Sequence, residues 1–166
     1  MYYDGVATSQ PPSDGEPSLS HLNSNGEANM VDVGPKANMR RTATAQGRIF
    51  VGELVMDKLR KGRLVKGDVI TVARVAGIMG AKATSDLIPL CHQIPLDHVS
   101  VDVRPCLDCP GSLVVTAMAQ ANHRTGVEME SLTAVSVALL TLYDMCKSLN
   151  KSMVISDIKL LSKVKK

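Results

Sequence analysis

Tryptophan is absent from this chain, and aromatic residues make up only 2% of its 166 residues: Tyr2, Tyr3, Phe50 and Tyr143. The core therefore has to be built from Val, Leu, Ile, Ala and Met, which the 45% hydrophobic content supplies. The same scarcity disfavours single-stranded nucleic acid as a partner, because its bases need aromatic faces to stack on. No apolar run approaches the ~20 residues of a membrane span, so a soluble protein is expected. Four cysteines at uneven spacing (91, 106, 109 and 146) do not form a disulfide framework. Free thiols and a reducing compartment are expected. Neither a P-loop nor a G-x-G-x-x-G pattern is present, and Gly77-Ile78-Met79-Gly80 follows no strand, so a dinucleotide fold is rejected.

Basic residues are also missing from the first 29 positions, which hold Asp4, Asp14, Glu16 and Glu27 among Ser, Gly, Pro and Asn. This composition predicts a disordered acidic tail or linker over 1–29, or the remnant of a fusion, and it is unlike an Arg-rich transit peptide. Residues 30–166 then carry 19 basic and 12 acidic side chains, a net +7, as one domain with a real core. A basic body points to an anionic partner, and a phosphorylated small molecule fits best.

Along that domain, Arg40–Val51 reads as a strand on its Thr content and partial alternation. Arg41 near its start is either a solvated edge residue or an anion contact. Glu53–Arg63 reads as a short helix running into the basic cluster Lys58, Arg60, Lys61, Arg63 and Lys66, whose usual meaning is a solvated face. Asp68 is a good N-cap for a second helix over Val69–Ser85, which would hold Lys66 beside a helix N-terminus, a natural anion site. Asp86–Leu96, with Pro89 and Pro95, reads as an irregular apolar connector. Its His92 is either a core histidine bonded to backbone or a proton-transfer group titrating near neutrality.

His98–Val103 and Ser112–Ala119 alternate as strands, joined by a connector that contains Cys106-Leu107-Asp108-Cys109. One Cys-x-x-Cys is half a zinc site, which Cys91 and His92 could complete on paper. The plainer reading is a hairpin loop with two ordinary thiols. A long helix follows over 131–149, with apolar residues at 132, 135, 139 and 142, and a last strand over Met153–Lys163 whose Asp157, Lys159 and Lys163 face one way. Val137 and Leu140 make the long helix apolar on more than one side, so its outer face is expected to be buried by another subunit.

Polar groups stand at both ends of that helix: Glu128 and Glu130 before it, Asp144 and Lys147 at its close. An extended lead-in would put the two glutamates on one face. Glu128 and Glu130 at its N-terminus and Lys147 at its C-terminus also suit the helix dipole without any catalytic role. In a continuous helix, Glu130 and Asp144 are about 21 Å apart, too far to touch one small group from one chain.

The element order, strand–helix–helix–strand–strand–helix–strand, is the split arrangement of a ferredoxin-like α+β domain. It predicts a four-stranded antiparallel sheet with helices packed on one face. A nucleic-acid-binding version should carry aromatics on the open sheet face, and the predicted strands offer only Phe50.

Six blocks of residues resemble the cyclic pyranopterin monophosphate synthase family of molybdenum cofactor biosynthesis. They are Met30–Val33, Lys66–Val69, Ala73–Gly77, Asp86–His92, Thr125–Glu130 and Tyr143–Lys147, in order across roughly residues 30–163. The resemblance implies a lyase that converts (8S)-3′,8-cyclo-7,8-dihydroguanosine 5′-triphosphate to cyclic pyranopterin monophosphate and diphosphate. It implies a ferredoxin-like fold, no cofactor or metal, and no nucleic-acid or membrane partner. It further implies a homo-oligomer, a hexameric trimer of dimers with sites at a subunit interface, in the cytoplasm or the mitochondrial matrix.

By motif position, the resemblance implies catalytic roles for Lys66, His92, Glu128, Glu130, Asp144 and Lys147. Substrate contacts are implied for Lys66, Cys91, His92, Glu128, Met129 and Glu130, with Lys36 and Arg41 added as phosphate contacts. Two departures stand out: Gln93 follows His92 where the family usually has Pro, and the chain ends at Lys163–Lys166 where the family tends to continue with a Gly-rich tail. The alternative reading is a small zinc- or redox-linked interaction module using Cys91, His92, Cys106 and Cys109.

Overall fold

Asp68 starts the helical layer as its sequence suggests. Its carboxylate accepts the Thr71 backbone N–H at 3.0 Å and the Thr71 hydroxyl, which holds its pKa below the usual carboxylate value. This is a computed structural model, and it describes residues 21–23, 25–61 and 68–166. The chain divides into two units, Met1–Val31 and Asp32–Lys166. In the first, Leu22 and Ala28 form an isolated antiparallel bridge around a turn in which Asn23 Oδ1 accepts the N–H groups of Asn25 and Glu27.

The second unit runs β1 (Met39–Phe50), α1 (Glu53–Arg60), α2 (Val69–Lys82), α3 (Thr84–Leu87), β2 (His98–Pro105), β3 (Ser112–His123), α4 (Glu128–Cys146) and β4 (Val154–Lys165). The strands form one antiparallel sheet in the order β2-β3-β1-β4, the ferredoxin-like arrangement. Alternation explains the core. Ala43, Ala45 and Ile49 of β1, with Val115, Ala117, Ala119 and Ala121 of β3, are buried on the side where α2 and α4 pack. Small residues there bring α4 close to the sheet, where Val135, Ala138, Leu139 and Leu142 are fully buried.

Several boundaries differ from the sequence reading. The helix expected over Glu53–Arg63 is α1, Glu53–Arg60, closed by Lys61, and residues 62–63 lie outside the described residues. The helix expected to reach Ser85 stops at Lys82, with α3 as a separate turn whose Thr84 hydroxyl bonds back to the Ala81 carbonyl at 3.0 Å. The long helix begins at Glu128 rather than 131. It has 19 residues and a mean hydropathy of 1.2, long and apolar enough to cross a membrane, contrary to the expectation that no such run exists. Its packing between α2 and the sheet accounts for that apolarity.

The second apolar side of α4 also has a cause within the chain. Val137 packs on α2 at Gly80, where an added Cβ would lie 2.7 Å from Val137 Cγ2, and Gly77 meets the Ala134 carbonyl in the same way. Only glycine permits so close a helix approach. Leu140 on the same helix remains 61% exposed.

The strand β4 is not a regular ladder. Its register against β1 shifts between Thr44 and Ala45 and again between Gln46 and Arg48, with Asp157 in the left-handed region at φ 56°. Lys159 therefore pairs with Gln46, while Lys163 pairs with Ala43 and Lys165 with Arg41. Gln46 and Ala43 lie on opposite faces of β1, so Lys159 and Lys163 do not face one way as expected. The irregularity turns Lys163 and Lys165 toward the helical side.

Candidate active site

The N-terminal end of β1, the C-terminal ends of β3 and β4, and the first turn of α4 meet at one end of the sheet. A cleft of about 460 Å³ opens there, lined by Lys36, Arg41, Thr42, Thr125, Gly126, Val127, Glu128, Val164, and by Arg124, Lys163 and Lys165. Five cations against one carboxylate make it an anion site by charge alone.

Arg41 is half-buried rather than a solvated edge residue. Its Nε donates to the His123 carbonyl at 3.3 Å and its Nη2 to the Arg124 carbonyl at 3.2 Å. The guanidinium therefore holds the turn between β3 and α4 while keeping its charge at the cleft.

Both glutamates lie inside the first turn of α4, so the extended lead-in that would align them does not exist. Two residues on a helix diverge by roughly 200°. Glu128 reaches the cleft and pairs with Lys163 at 3.3 Å. Glu130 turns inward and is 4% exposed. Burial, with a further push from the Glu128 charge, raises its pKa to about 7. Met129 between them is 38% exposed.

Cys91 and His92 are half-buried in the connector before β2. Burial raises the Cys91 thiol pKa, and the charge of Glu130 adds to the effect. His92 in turn acts on His123, the last residue of β3. Thus Lys36, Arg41, Cys91, His92, Glu128 and Glu130 gather at one end.

Asp144 and Lys147 do not join them. They form an exposed ion pair of 2.6 Å at the far end of α4, which raises the Lys147 pKa chiefly through the hydrogen bond to Asp144. The expected single-chain separation of about 21 Å stands, because α4 is continuous. Lys66 lies outside the described residues.

Sequence reasoning gave no site role to four residues at this end: His123, Arg124, Lys163 and Lys165. The last two sit at alternate positions of a strand, which is a usable signal, but the register that delivers them is not.

The zinc or redox constellation is not assembled. Cys106 and Cys109 are joined in a disulfide, not the two ordinary thiols expected. They precede the start of β3, whereas His92 stands by its end, some 12 residues or roughly 35 Å along the strand. Among the described residues no group of three or more His, Cys, Asp or Glu could hold a metal ion.

The fold and this end of the sheet define a ferredoxin-like enzyme domain, with acid–base groups set against a cationic cleft. The chain belongs to the MoaC family, whose model matches residues 30–165. It is 54% identical over 145 residues to a protein of Novosphingobium aromaticivorans named cyclic pyranopterin monophosphate synthase, covering 87% of this chain and 90% of that protein. Proteins of the same name from Heliobacterium modesticaldum and Desulfitobacterium hafniense are 51% and 46% identical, over 87% of this chain and 91% and 88% of theirs.

Proposed function

We propose that this chain is a cyclic pyranopterin monophosphate synthase of molybdenum cofactor biosynthesis. It converts (8S)-3′,8-cyclo-7,8-dihydroguanosine 5′-triphosphate to cyclic pyranopterin monophosphate with release of diphosphate. The observation that carries the reading beyond family membership is the meeting of a buried carboxyl titrating at about 7 with a cleft lined by five cations.

The chemistry needs proton transfers during opening and rearrangement of the purine ring, then closure of a cyclic phosphate. In that closure a substrate hydroxyl oxygen attacks the α-phosphorus, and the bond to the β-phosphate breaks. Glu130, half protonated near neutrality, can give or take a proton, with His92 beside the same end. Lys36 and Arg41 neutralise the polyphosphate from the cleft, and Arg124, Lys163 and Lys165 add to that field. Cys91, Glu128 and Met129 contact the substrate around them.

Lys66, Asp144 and Lys147 complete the site from a neighbouring subunit of a hexameric trimer of dimers. Two features support this: the length of α4, and apolar side chains left exposed at Val72, Val75 and Met79 of α2 and at Val154 and Leu161 of β4.

Turnover of the enzymatically prepared cyclic nucleotide, read as diphosphate release and product formation, is the direct test. Lys66→Ala and Asp144→Ala should each abolish diphosphate release while the oligomer survives in sedimentation. Turnover like wild type in both variants would remove those two residues from the site.

A further inference from the structure

The disulfide between Cys106 and Cys109 joins residues only three apart, at the tip of the β2–β3 hairpin. A cross-link over so short a loop restrains the unfolded chain little. The hairpin does not need it either, because β2 and β3 pair in unbroken register from His98 with Gln120 to Pro105 with Leu113. The tip is open to solvent, and Leu107, between the two cysteines, is 94% exposed. Exposed disulfides are the ones that exchange with thiols.

What the ring holds is the neighbouring backbone. The Cys106 N–H donates to the Ser112 carbonyl at 2.9 Å, and the Ser112 N–H donates to the Cys109 carbonyl at 3.2 Å. Gly111, in the left-handed region at φ 72°, sits inside that bracket. Its carbonyl accepts two N–H groups, of Val51 at 2.8 Å and Gly52 at 2.9 Å, at the turn from β1 into α1. Gly52 caps α1 without a side chain. Gly111 therefore holds this turn from one side, and the Asn150 amide, donating to the Val51 carbonyl at 3.0 Å, holds it from another.

A cleft of about 590 Å³ adjoins the ring, with Gln46, Asp102, Arg104, Cys106 and Asp108 in its lining. Arg74 and Arg104 share the single Asp102 carboxylate, which leaves one positive charge in excess, with Asp108 alongside. The volume suits a small ligand, and charges of both signs suit one with a carboxylate and an ammonium group.

We propose that Cys106–Cys109 is a reversible thiol–disulfide exchange site, opened by a small peptide thiol bound in this cleft. Its oxidised form holds the Gly111 carbonyl on the β1–α1 turn. The proposal is independent of the synthase reading and uses neither Cys91 nor His92. The peptide thiolate attacks Sγ of Cys106, the bond between the cysteines breaks, and Cys109 leaves as a thiolate. A second peptide thiolate then attacks the sulfur of the first and frees Cys106. Two peptide thiols become one disulfide, and the ring takes up their two electrons and two protons to end as two thiols.

The test uses full-length protein and glutathione as the probe. In buffers of graded reduced-to-oxidised ratio, alkylation and peptide mass mapping should show the pair passing from disulfide to dithiol and back without denaturant. Hydrogen exchange at the Val51 and Gly52 amides should quicken by about tenfold or more in the reduced form, with Ala45 of β1 unchanged. The double variant Cys106→Ser, Cys109→Ser should exchange like the reduced form in every buffer and melt within a few degrees of oxidised wild type. At equal thiolate concentration, glutathione should reduce the ring several-fold faster than mercaptoethanol, and Arg104→Ala should abolish that advantage.

A pair that stays oxidised in excess reduced glutathione, or reduced in excess oxidised glutathione, overturns the exchange site. Unchanged exchange at Val51 and Gly52 overturns the hold on the turn. Equal rates with the two thiols, or an advantage that survives Arg104→Ala, overturn the cleft as the point of entry.

Discussion

The Lys163 ammonium lies 3.3 Å from the Glu128 carboxylate, tying the edge strand to the first turn of α4. The lysine side chain is 72% exposed, so the pair contributes at most about 1 kcal/mol to stability. Lys163→Ala should thus leave the melting temperature within a few degrees of wild type. If the cleft receives polyphosphate, the same variant should raise KM several-fold, and added salt should weaken wild-type binding more than that of the variant. Steady-state kinetics at two ionic strengths check both statements.

Glu130 gives a pH dependence of definite sign. Its folded pKa of about 7 lies above the ordinary 4.5, so between these values the unfolded chain releases a proton that the folded chain keeps. Stability is lost as pH rises through that window, by an amount of order 3 kcal/mol. Glu130→Gln should therefore melt higher than wild type at about pH 8 and show no such gain near pH 4. The same substitution should remove activity, since the amide cannot exchange a proton. Calorimetry across pH together with a turnover assay separates the two effects.

The contact between α2 and α4 predicts an intolerant position. A Cβ at residue 80 would sit 2.7 Å from Val137 Cγ2 and 2.9 Å from Val137 Cβ. Gly80→Ala should force the helices apart and cost about 1–3 kcal/mol. Gly80→Ala combined with Val137→Ala should recover much of that loss. Chemical denaturation of the single and double variants measures the coupling.

Arg41→Lys is not a conservative change here. A lysine cannot bond the His123 and Arg124 carbonyls together from one planar group, as Arg41 does at 3.3 and 3.2 Å. We expect faster amide exchange at Thr125 and Gly126 and a rise in KM close to that of Arg41→Ala. Exchange like wild type in Arg41→Lys would show that the turn does not depend on the fork.

The order of elements was legible because each declares itself locally: Asp68 caps α2, His98–Val103 alternates, and the 132/135/139/142 stripe marks α4. The site was legible only in parts. Glu130 and His92 stood out as motif residues, but nothing local said that Glu128 would enter the helix and diverge from Glu130. Lys163 was unreadable for a different reason. Which face it takes depends on irregular pairing with a strand more than a hundred residues earlier. Likewise Val137 suggested a partner subunit, because the glycine that receives it, Gly80, lies on another helix. Long-range register and interhelical fit are not written in any one stretch of chain.

The continuous span of α4 has a genetic consequence. In a homo-oligomer whose centres draw Glu130 from one chain and Asp144 from the next, each damaged chain spoils a centre with its neighbour. Chains carrying Glu130→Gln and chains carrying Asp144→Asn should each be inactive alone. Co-assembled, they should regain about a quarter of wild-type turnover by random pairing. Two defective alleles that complement in this way would behave as one working copy.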